Sequence, residues 1–405
     1  MLDVIMTRSA ALGAMQAFVP AMGKKYENGR NYDHGAGQHT AVSVLSPYIC
    51  RRLLCEREVV AAALAVHGPD DARAFIEEVV WRGYFKGWLE RRPQVWASYV
   101  SGLNADLESL KRDRQLRRDV ELAETGQSGL GYFDTWAHEL VNTGYLHNHA
   151  RMWFASIWIF TLGLPWRLGA DFFYRHLLDG DAAANTLNWR WAAGLHTRGK
   201  PYPARAENIA TFTGGRFNPR DLDLAKVTKG LEATEPDGLP NVLPLRDMHA
   251  LCTGVPTALL ITDEDCRIED FDLSGFDICA TATLSCTYLR SPRDVPERVS
   301  TAERVALADA AARLGVSPTH LRADDPRDLV DWAVGIGTKQ IFTPYVTRGP
   351  LHDWLTRAKP LLEDHGITLC EKRRVWDEAI WPHATAGFFK VRKKIPQILQ
   401  ETGLV

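Results

Sequence analysis

The chain has 405 residues, 45% of them hydrophobic and 24% charged, with 31 Gly and 21 Pro. This ordinary globular composition excludes collagen-like, coiled-coil and disordered classes, and at roughly 100–200 residues per domain the length calls for two or three domains. A formal charge of −2 excludes a uniformly basic nucleic-acid coat, though not a basic groove offset by acidic surface elsewhere.

Seven Cys without a CxxC pair point to free thiols in a reducing compartment rather than a disulfide framework. Segment 1–18 lacks the charged start, apolar run and cleavage site of a leader. The most apolar stretch, Met152 to Trp166, is closed by Pro165 and is too short to span a bilayer. A soluble cytoplasmic protein without membrane contact is expected.

Sequence character changes near residue 235. Before it, helical periodicity predicts helices over Ser9–Met22, Glu56–Val66, Asp71–Glu90, Phe133–Asn142 and Asn148–Leu162, with no clear strand runs. After the turn-rich segment 234–241, short β-type runs at 257–262, 277–284, 339–343 and 367–370 alternate with helical runs at Thr301–Leu314, Asp325–Val334 and Leu351–His365. Such alternation predicts a parallel sheet with right-handed crossovers. The expected architecture is an all-α domain over 1–235 followed by a smaller α/β domain over 236–405.

Three segments carry candidate chemistry. In residues 75–85, Glu78, Trp81 and Arg82 fall at i, i+3 and i+4, so a helix presents an acid, an indole and a guanidinium together. On spacing alone, a core Trp beside a surface Glu–Arg pair is the plainer account. In residues 144–153, Asn148, Arg151 and Met152 repeat that geometry. His147 and His149 lack the i, i+4 spacing of a two-His metal face and read as structural. In residues 171–194, Asp179-Gly180-Asp181 is too short for a calcium loop. It reads as a helix boundary, with Gly180 ending one helix and Asp181 capping the next. That account leaves Asn185, Trp189 and Trp191 unexplained.

The segments SVLSPYI (43–49), EEVVWRGYF (77–85), GYLHNHARM (144–152), DGDAAANTLNWRWAAG (179–194) and RFNP (216–219) occur in that order. Together they resemble the signatures of the flavin-binding helical domain of the photolyase/cryptochrome family, over roughly residues 9–220. The resemblance implies an FAD cofactor. Ser43, Leu45 and Ser46 would bind its phosphates and ribose, with Tyr32 on the adenine side and Arg82 among the binding residues. Arg151 and Asp179 would pair beside the isoalloxazine, Asp181 would take its polar edge, and Asn185 would face N5. Glu78, Trp81, Asn148 and Met152 would line a cavity for a flipped pyrimidine dimer. Trp189 and Trp166 would be inner and middle members of an electron-transfer chain. The Asn at 185 and the His-Asn pair at 147–148 resemble the cyclobutane-dimer repair type rather than plant or animal cryptochromes.

Departures from the family pattern are equally legible. Thr186-Leu187-Asn188 replaces Asn-Gly-Gly, Arg190 replaces Gln, Gly83 stands where the helix motif has an acid, and Val44 replaces a common Arg. No Trp occupies residues 110–115, where the outermost electron donor would fall. Slow photoreduction, or exit through Trp153, Trp158 or Trp191, is then expected. Residues 257–396 resemble the family's antenna domain in worn form, displaced to the C-terminal side as in a circular permutation, with no second chromophore expected. Cys50 and Cys55 are too few for an iron–sulfur cluster in the helical part, and no metal is expected. The basic run 390–394 could touch DNA, but a solvated helix face is the plainer account.

The resemblance therefore implies a photolyase-like lyase. It would repair cyclobutane pyrimidine dimers in light by electron transfer from reduced FAD, as a monomer. Low net charge suggests few duplex phosphate contacts and a preference for single-stranded DNA. The alternative is a cryptochrome-like photoreceptor that signals through a protein partner, which the interrupted tryptophan chain favours.

Overall fold

The computed structural model describes residues 4–405, so the first three residues of the segment read for a leader lie outside it. The chain begins with α1 (Arg8–Phe18), α2 (Lys24–Gly29), α3 (Ser46–Cys50), α4 (Glu56–Asp71), α5 (Arg73–Glu90) and α6 (Pro93–Arg112). Helices α7 (Arg114–Glu124), α8 (Gly131–Thr143), α9 (Asn148–Ser156), α10 (Trp166–His176), α11 (Ala182–Ala192) and α12 (Ala206–Phe212) follow. The later part alternates: β1 (Thr257–Thr262), β2 (Ile278–Ser285), α13 (Glu297–Leu314), β3 (Thr319–Arg322), α14 (Pro326–Gly335), β4 (Gln340–Pro344), α15 (Pro350–Asp364) and β5 (Thr368–Lys372). Helices α16 (Val375–Ile380), α17 (Phe388–Arg392) and α18 (Ile395–Glu401) close the chain. A helix-rich chain with a smaller α/β region is thus the fold class, as the periodicity requires. No described helix is long and apolar enough to cross a membrane.

Packing divides the described residues into two compact units that interleave along the sequence. The first holds residues 21–44 and 92–243; the second holds 4–20, 45–91 and 244–405. Packing and sequence character therefore divide the chain differently, because the purely helical stretch 45–91 packs in the unit that holds the sheet.

In the first unit, Asp181 caps α11 by accepting from the Ala184 N–H at 2.8 Å. The preceding α10 stops at His176, earlier than Gly180. Leu177 turns extended there and the Leu178 N–H is taken by the Gly144 carbonyl at 2.9 Å. The helix expected to run to Leu162 opens into a π-type turn over Ile157–Thr161, with the Leu162 N–H on the Ile157 carbonyl. Such wide turns re-aim side chains, here including Trp158.

In the second unit all five strands are parallel, in the order β3-β2-β1-β4-β5. Every residue of the central β1 is buried, as a sheet covered on both faces demands. Leu260, Ala282 and Ile341 form a core with Leu329 and Val330 of α14 and Trp354 and Ala358 of α15. The order reverses between β1 and β4, which makes the carboxyl ends of these strands a topological switch point. That position is filled by α5. Glu90 accepts from the Tyr345 hydroxyl and the Arg348 N–H, both at 2.7 Å, and Lys86 lies 3.7 Å from Glu264.

The same helix receives the end of the chain in a groove of two glycines. A Cβ on Gly83 would meet Ile380 Cδ1 at 2.8 Å, and one on Gly87 would meet Trp381 Cδ1 at 2.6 Å and its Cα at 2.9 Å. Gly83, the departure noted in the helix motif, is thus a packing residue for α16. A buried Arg52 fixes α16 in turn, holding both Asp377 oxygens at 2.7 Å while Asp265 lies at 3.3 Å.

Candidate functional site

In the first unit, α9 carries Arg151 and α11 carries Asn185, with Asp179 and Asp181 in the turn that leads into α11. Arg151 binds Asp179 through Nη2, at 3.1 and 2.9 Å to its two oxygens, while its Nε donates to the Leu146 carbonyl at 2.8 Å. The expected pair therefore exists, with the guanidinium held by backbone as well as by charge. Asn148 is exposed and Met152 half-buried, four residues apart on α9, so this helix keeps one polar–thioether face out of the core.

Asn185 is buried, and its Nδ2 donates to the Ala170 carbonyl at 2.8 Å. That bond fixes the amide orientation and leaves Oδ1 as the acceptor, the polarity required to meet a protonated flavin N5. Together with Arg151, Asp179 and Asp181, the donor set fits a flavin. Tyr32 stacks on His34 at 5.9 Å and meets Phe212 edge-on at 5.3 Å. Ser43 precedes Val44, which takes a left-handed φ of 50°, a strained conformation for a β-branched residue and of the kind that marks functional loops.

The same unit contains a polar network that sequence reading missed. Asp33, fully buried, accepts from the Gly35 N–H at 3.0 Å, Trp136 Nε1 at 3.1 Å and Arg216 Nη2 at 2.6 Å. His39 pairs with Glu139 at 2.9 Å, both buried. His147 bonds the Arg30 carbonyl through Nε2 at 3.1 Å and takes the His149 N–H on Nδ1, capping α9. Burial pushes His147 down to about 3 and His149 to about 4, so both are neutral near pH 7. They are structural histidines, as their spacing suggested. Only the Arg216 of the RFNP motif offered a sequence signal for this network; Asp33, His39 and Glu139 are scattered and carry none.

Trp189 and Trp158 meet edge-to-face at 6.3 Å, and both pack over Gly169, where a Cβ would approach Trp189 to 2.3 Å. Trp158 Nε1 donates to the Pro165 carbonyl, one residue from Trp166. Trp166 lies 5.9 Å from Tyr99, which lies 5.3 Å from Trp96. Arg190, the departure beside these tryptophans, is buried and bonds both oxygens of Glu235 at 2.5 and 2.7 Å, fastening the 232–235 turn to α11.

In the second unit, Leu45 and Ser46 begin α3, and Glu78, Trp81 and Arg82 lie on α5. Trp81 is not a bare platform. Phe388 of α17 stacks on it with ring centroids 3.7 Å apart and an interplanar angle of 14°, while Phe85 lies at 5.2 Å. Asp263, Cys286 and Glu303 converge at the carboxyl ends of β1 and β2. There Glu303 accepts from the Cys286 N–H, the Thr287 N–H and the Thr287 hydroxyl, and the Arg51 guanidinium stands 3.6 Å from Asp263. An arginine therefore supplies the positive charge this acidic group requires.

Residues 75–220 match the family described as the FAD binding domain of DNA photolyase. Through this region the chain is similar to proteins of the photolyase/cryptochrome family. Its relatives include a deoxyribodipyrimidine photo-lyase of Streptomyces griseus, 35% identical over 199 residues, or 48% of this chain and 40% of that one. They also include a chloroplastic/mitochondrial cryptochrome DASH of Ostreococcus tauri, 34% identical over 155 residues, 38% of this chain and 24% of that one. The match thus spans less than half the length of either relative. Among solved structures, a bacterial class III photolyase from Agrobacterium tumefaciens aligns with a TM-score of 0.43 at 24% identity, over 60% of this chain and 53% of that one.

Proposed function

We propose that this protein binds FAD and uses light to split cyclobutane pyrimidine dimers in DNA. The observation that carries the reading is the oriented Asn185 amide, whose Nδ2 is fixed on the Ala170 carbonyl so that Oδ1 is left to accept. An uncharged acceptor tolerates a protonated N5, whereas a carboxylate there would repel added electron density. Bound there, reduced FAD would supply the light-driven one-electron chemistry that splitting a dimer requires.

The residues divide the work. The Arg151–Asp179 pair and Asp181 orient the isoalloxazine, with Arg82 assisting, and Tyr32, Ser43, Leu45 and Ser46 hold the dinucleotide end. Glu78 hydrogen-bonds the dimer and stabilises charge that develops on its carbonyls. Trp81 stacks the splayed bases, and Asn148 and Met152 are assigned to the dimer on the resemblance alone. Trp189 and Trp166 pass electrons inward during photoreduction. The edge-to-face contact of Trp189 with Trp158 supports Trp158, fully buried, as a relay beside Trp189 rather than as the outer donor. Single-stranded DNA is the preferred substrate on the low net charge.

The C-terminal region is read as an antenna-like domain, supported by its doubly wound parallel order. The side chains of α5 at its switch point support a packing role for that crevice in place of a second pigment. A photoreceptor is the second reading, and the Phe388 ring on Trp81 favours it, because that face is closed to a base.

The test is recovery of thymine absorbance from dimer-bearing oligothymidine under blue light and in darkness, for the wild type and Glu78→Ala. Light-only recovery that falls in Glu78→Ala, with FAD content unchanged, supports repair. Absence of recovery with a flavin that still photoreduces leaves the photoreceptor.

A further inference from the structure

The run 388–394 carries more than a solvated face. Phe388 is 4% exposed and stacked on Trp81, whereas its neighbour Phe389 is 71% exposed. Lys390, Arg392, Lys393 and Lys394 are all exposed. Lys390 and Lys394 bond neutral partners, Thr385 and Gln397, and Arg392 meets Glu77 at 2.8 Å on the surface. Four exposed cations around a bare aromatic ring form the combination that grips single-stranded nucleic acid: ammonium and guanidinium groups on phosphates, a ring beneath a base. We propose that residues 388–394 form a nucleic-acid contact whose engagement draws Phe388 off Trp81.

The two ends of this segment are held unequally. Helix α16 is locked by the buried Arg52–Asp377 pair and by Ile380 and Trp381 against Gly83 and Gly87. Beyond the turn at 384–387, α17 is held by the buried Phe388 and Val391 side chains and by the Arg392–Glu77 pair, which solvent screens. Phosphates compete with Glu77 for Arg392, and a flipped base offers Trp81 a ring in exchange for Phe388. Binding thus exchanges like for like at Trp81 while adding phosphate contacts, and α17 moves about a fixed α16. The gate half of this proposal rests on Trp81 stacking the lesion.

The experiment uses the full FAD-loaded chain and two fluorescent oligothymidines, one undamaged and one with a cyclobutane dimer. For the variant K390Q/R392Q/K393Q/K394Q, the slope of log affinity against log salt on the undamaged strand should fall by about 2.8, at roughly 0.7 for each of four single-strand phosphate contacts. An unchanged slope overturns the contact. Phe388→Leu keeps an apolar filler but removes the stacked ring, and Glu77→Gln loosens the latch without touching the core. Phe388→Leu should bind the dimer strand several-fold tighter and the undamaged strand as before, whereas Glu77→Gln should tighten both strands, because it also frees Arg392 for phosphate. Trp81→Ala separates the two readings. If it weakens dimer binding while Phe388→Leu and Glu77→Gln change nothing, the gate is wrong and the lesion pocket stands. If Trp81→Ala has no effect, the lesion pocket and the gate both fall.

Discussion

The glycine pair on α5 makes a quantitative prediction that sequence propensity alone gets wrong. Replacing a helical Gly by Ala gains about 0.5–1 kcal/mol from backbone entropy and propensity. At Gly83 the added methyl meets Ile380 Cδ1 at 2.8 Å, the mobile end of a flexible side chain. A small rotamer shift relieves that contact, so Gly83→Ala should be neutral or slightly stabilising. At Gly87 the methyl meets the Trp381 ring at 2.6 Å and its backbone Cα at 2.9 Å. Trp381 is fully buried against Tyr345, and Arg91 bonds its carbonyl at 3.0 Å, so neither ring nor backbone has room to retreat. Overpacking of this kind costs about 1–3 kcal/mol, which outweighs the entropic gain. Gly87→Ala should therefore be the less stable of the two by about 1–3 kcal/mol, or several degrees in Tm. Thermal unfolding of the two variants side by side measures the difference. A Gly87→Ala Tm equal to or above that of Gly83→Ala would refute the close approach of α16 to α5.

Two further outcomes follow from buried polar groups in the first unit. Burial depresses His147 to about 3 and His149 and His196 to about 4, from 6.5, so the unfolded chain binds more protons between those limits. Their contribution is complete above pH 6.5 and is lost as pH falls toward 4; at pH 5 each histidine costs about 2 kcal/mol. A urea midpoint that fails to drop between pH 7 and pH 5 would contradict their burial as neutral groups. Asp33→Ala strands Arg216 and the Trp136 indole, and should cost about 3 kcal/mol, the low end for a broken buried pair because Arg216 reaches solvent. Chemical denaturation checks it, and a loss below 1 kcal/mol would make the network incidental.

Local pattern revealed the elements whose residues bury one face or both. The central strands were legible as apolar runs, and Asp181 and Asp325 announced the helix starts they cap. Strand β3 was not legible because it is four residues at the sheet edge, mostly exposed and polar, with no apolar period to read. Helix α7 was illegible for a related reason: between Arg112 and Glu124 charge dominates, and Asp113 caps it without an apolar run to flag it, whereas α6 does carry Val95, Trp96, Tyr99 and Leu103 at helical spacing. Of the candidate site, the Arg151–Asp179 pair and the cap at Asp181 were visible in motif spacing. Asp33, His39 and Glu139 were not, because their partners lie about a hundred residues or more away and no local period links them.

Gly83 and Phe388 show how a motif departure and an unassigned tail explain each other. An acidic residue at position 83 would stand where Ile380 packs, so loss of the acid is what lets α16 lie against α5. Once α16 is there, the chain continues through the 384–387 turn and sets Phe388 on Trp81. The exposed neighbour Phe389 and the four cations then fall on the solvent side of that helix. A glycine in the middle of a helix is unfavourable for the helix itself. Two of them one turn apart, facing Ile380 and Trp381, are consistent with a docking surface whose cost in local helix stability is offset by burying Trp381 completely.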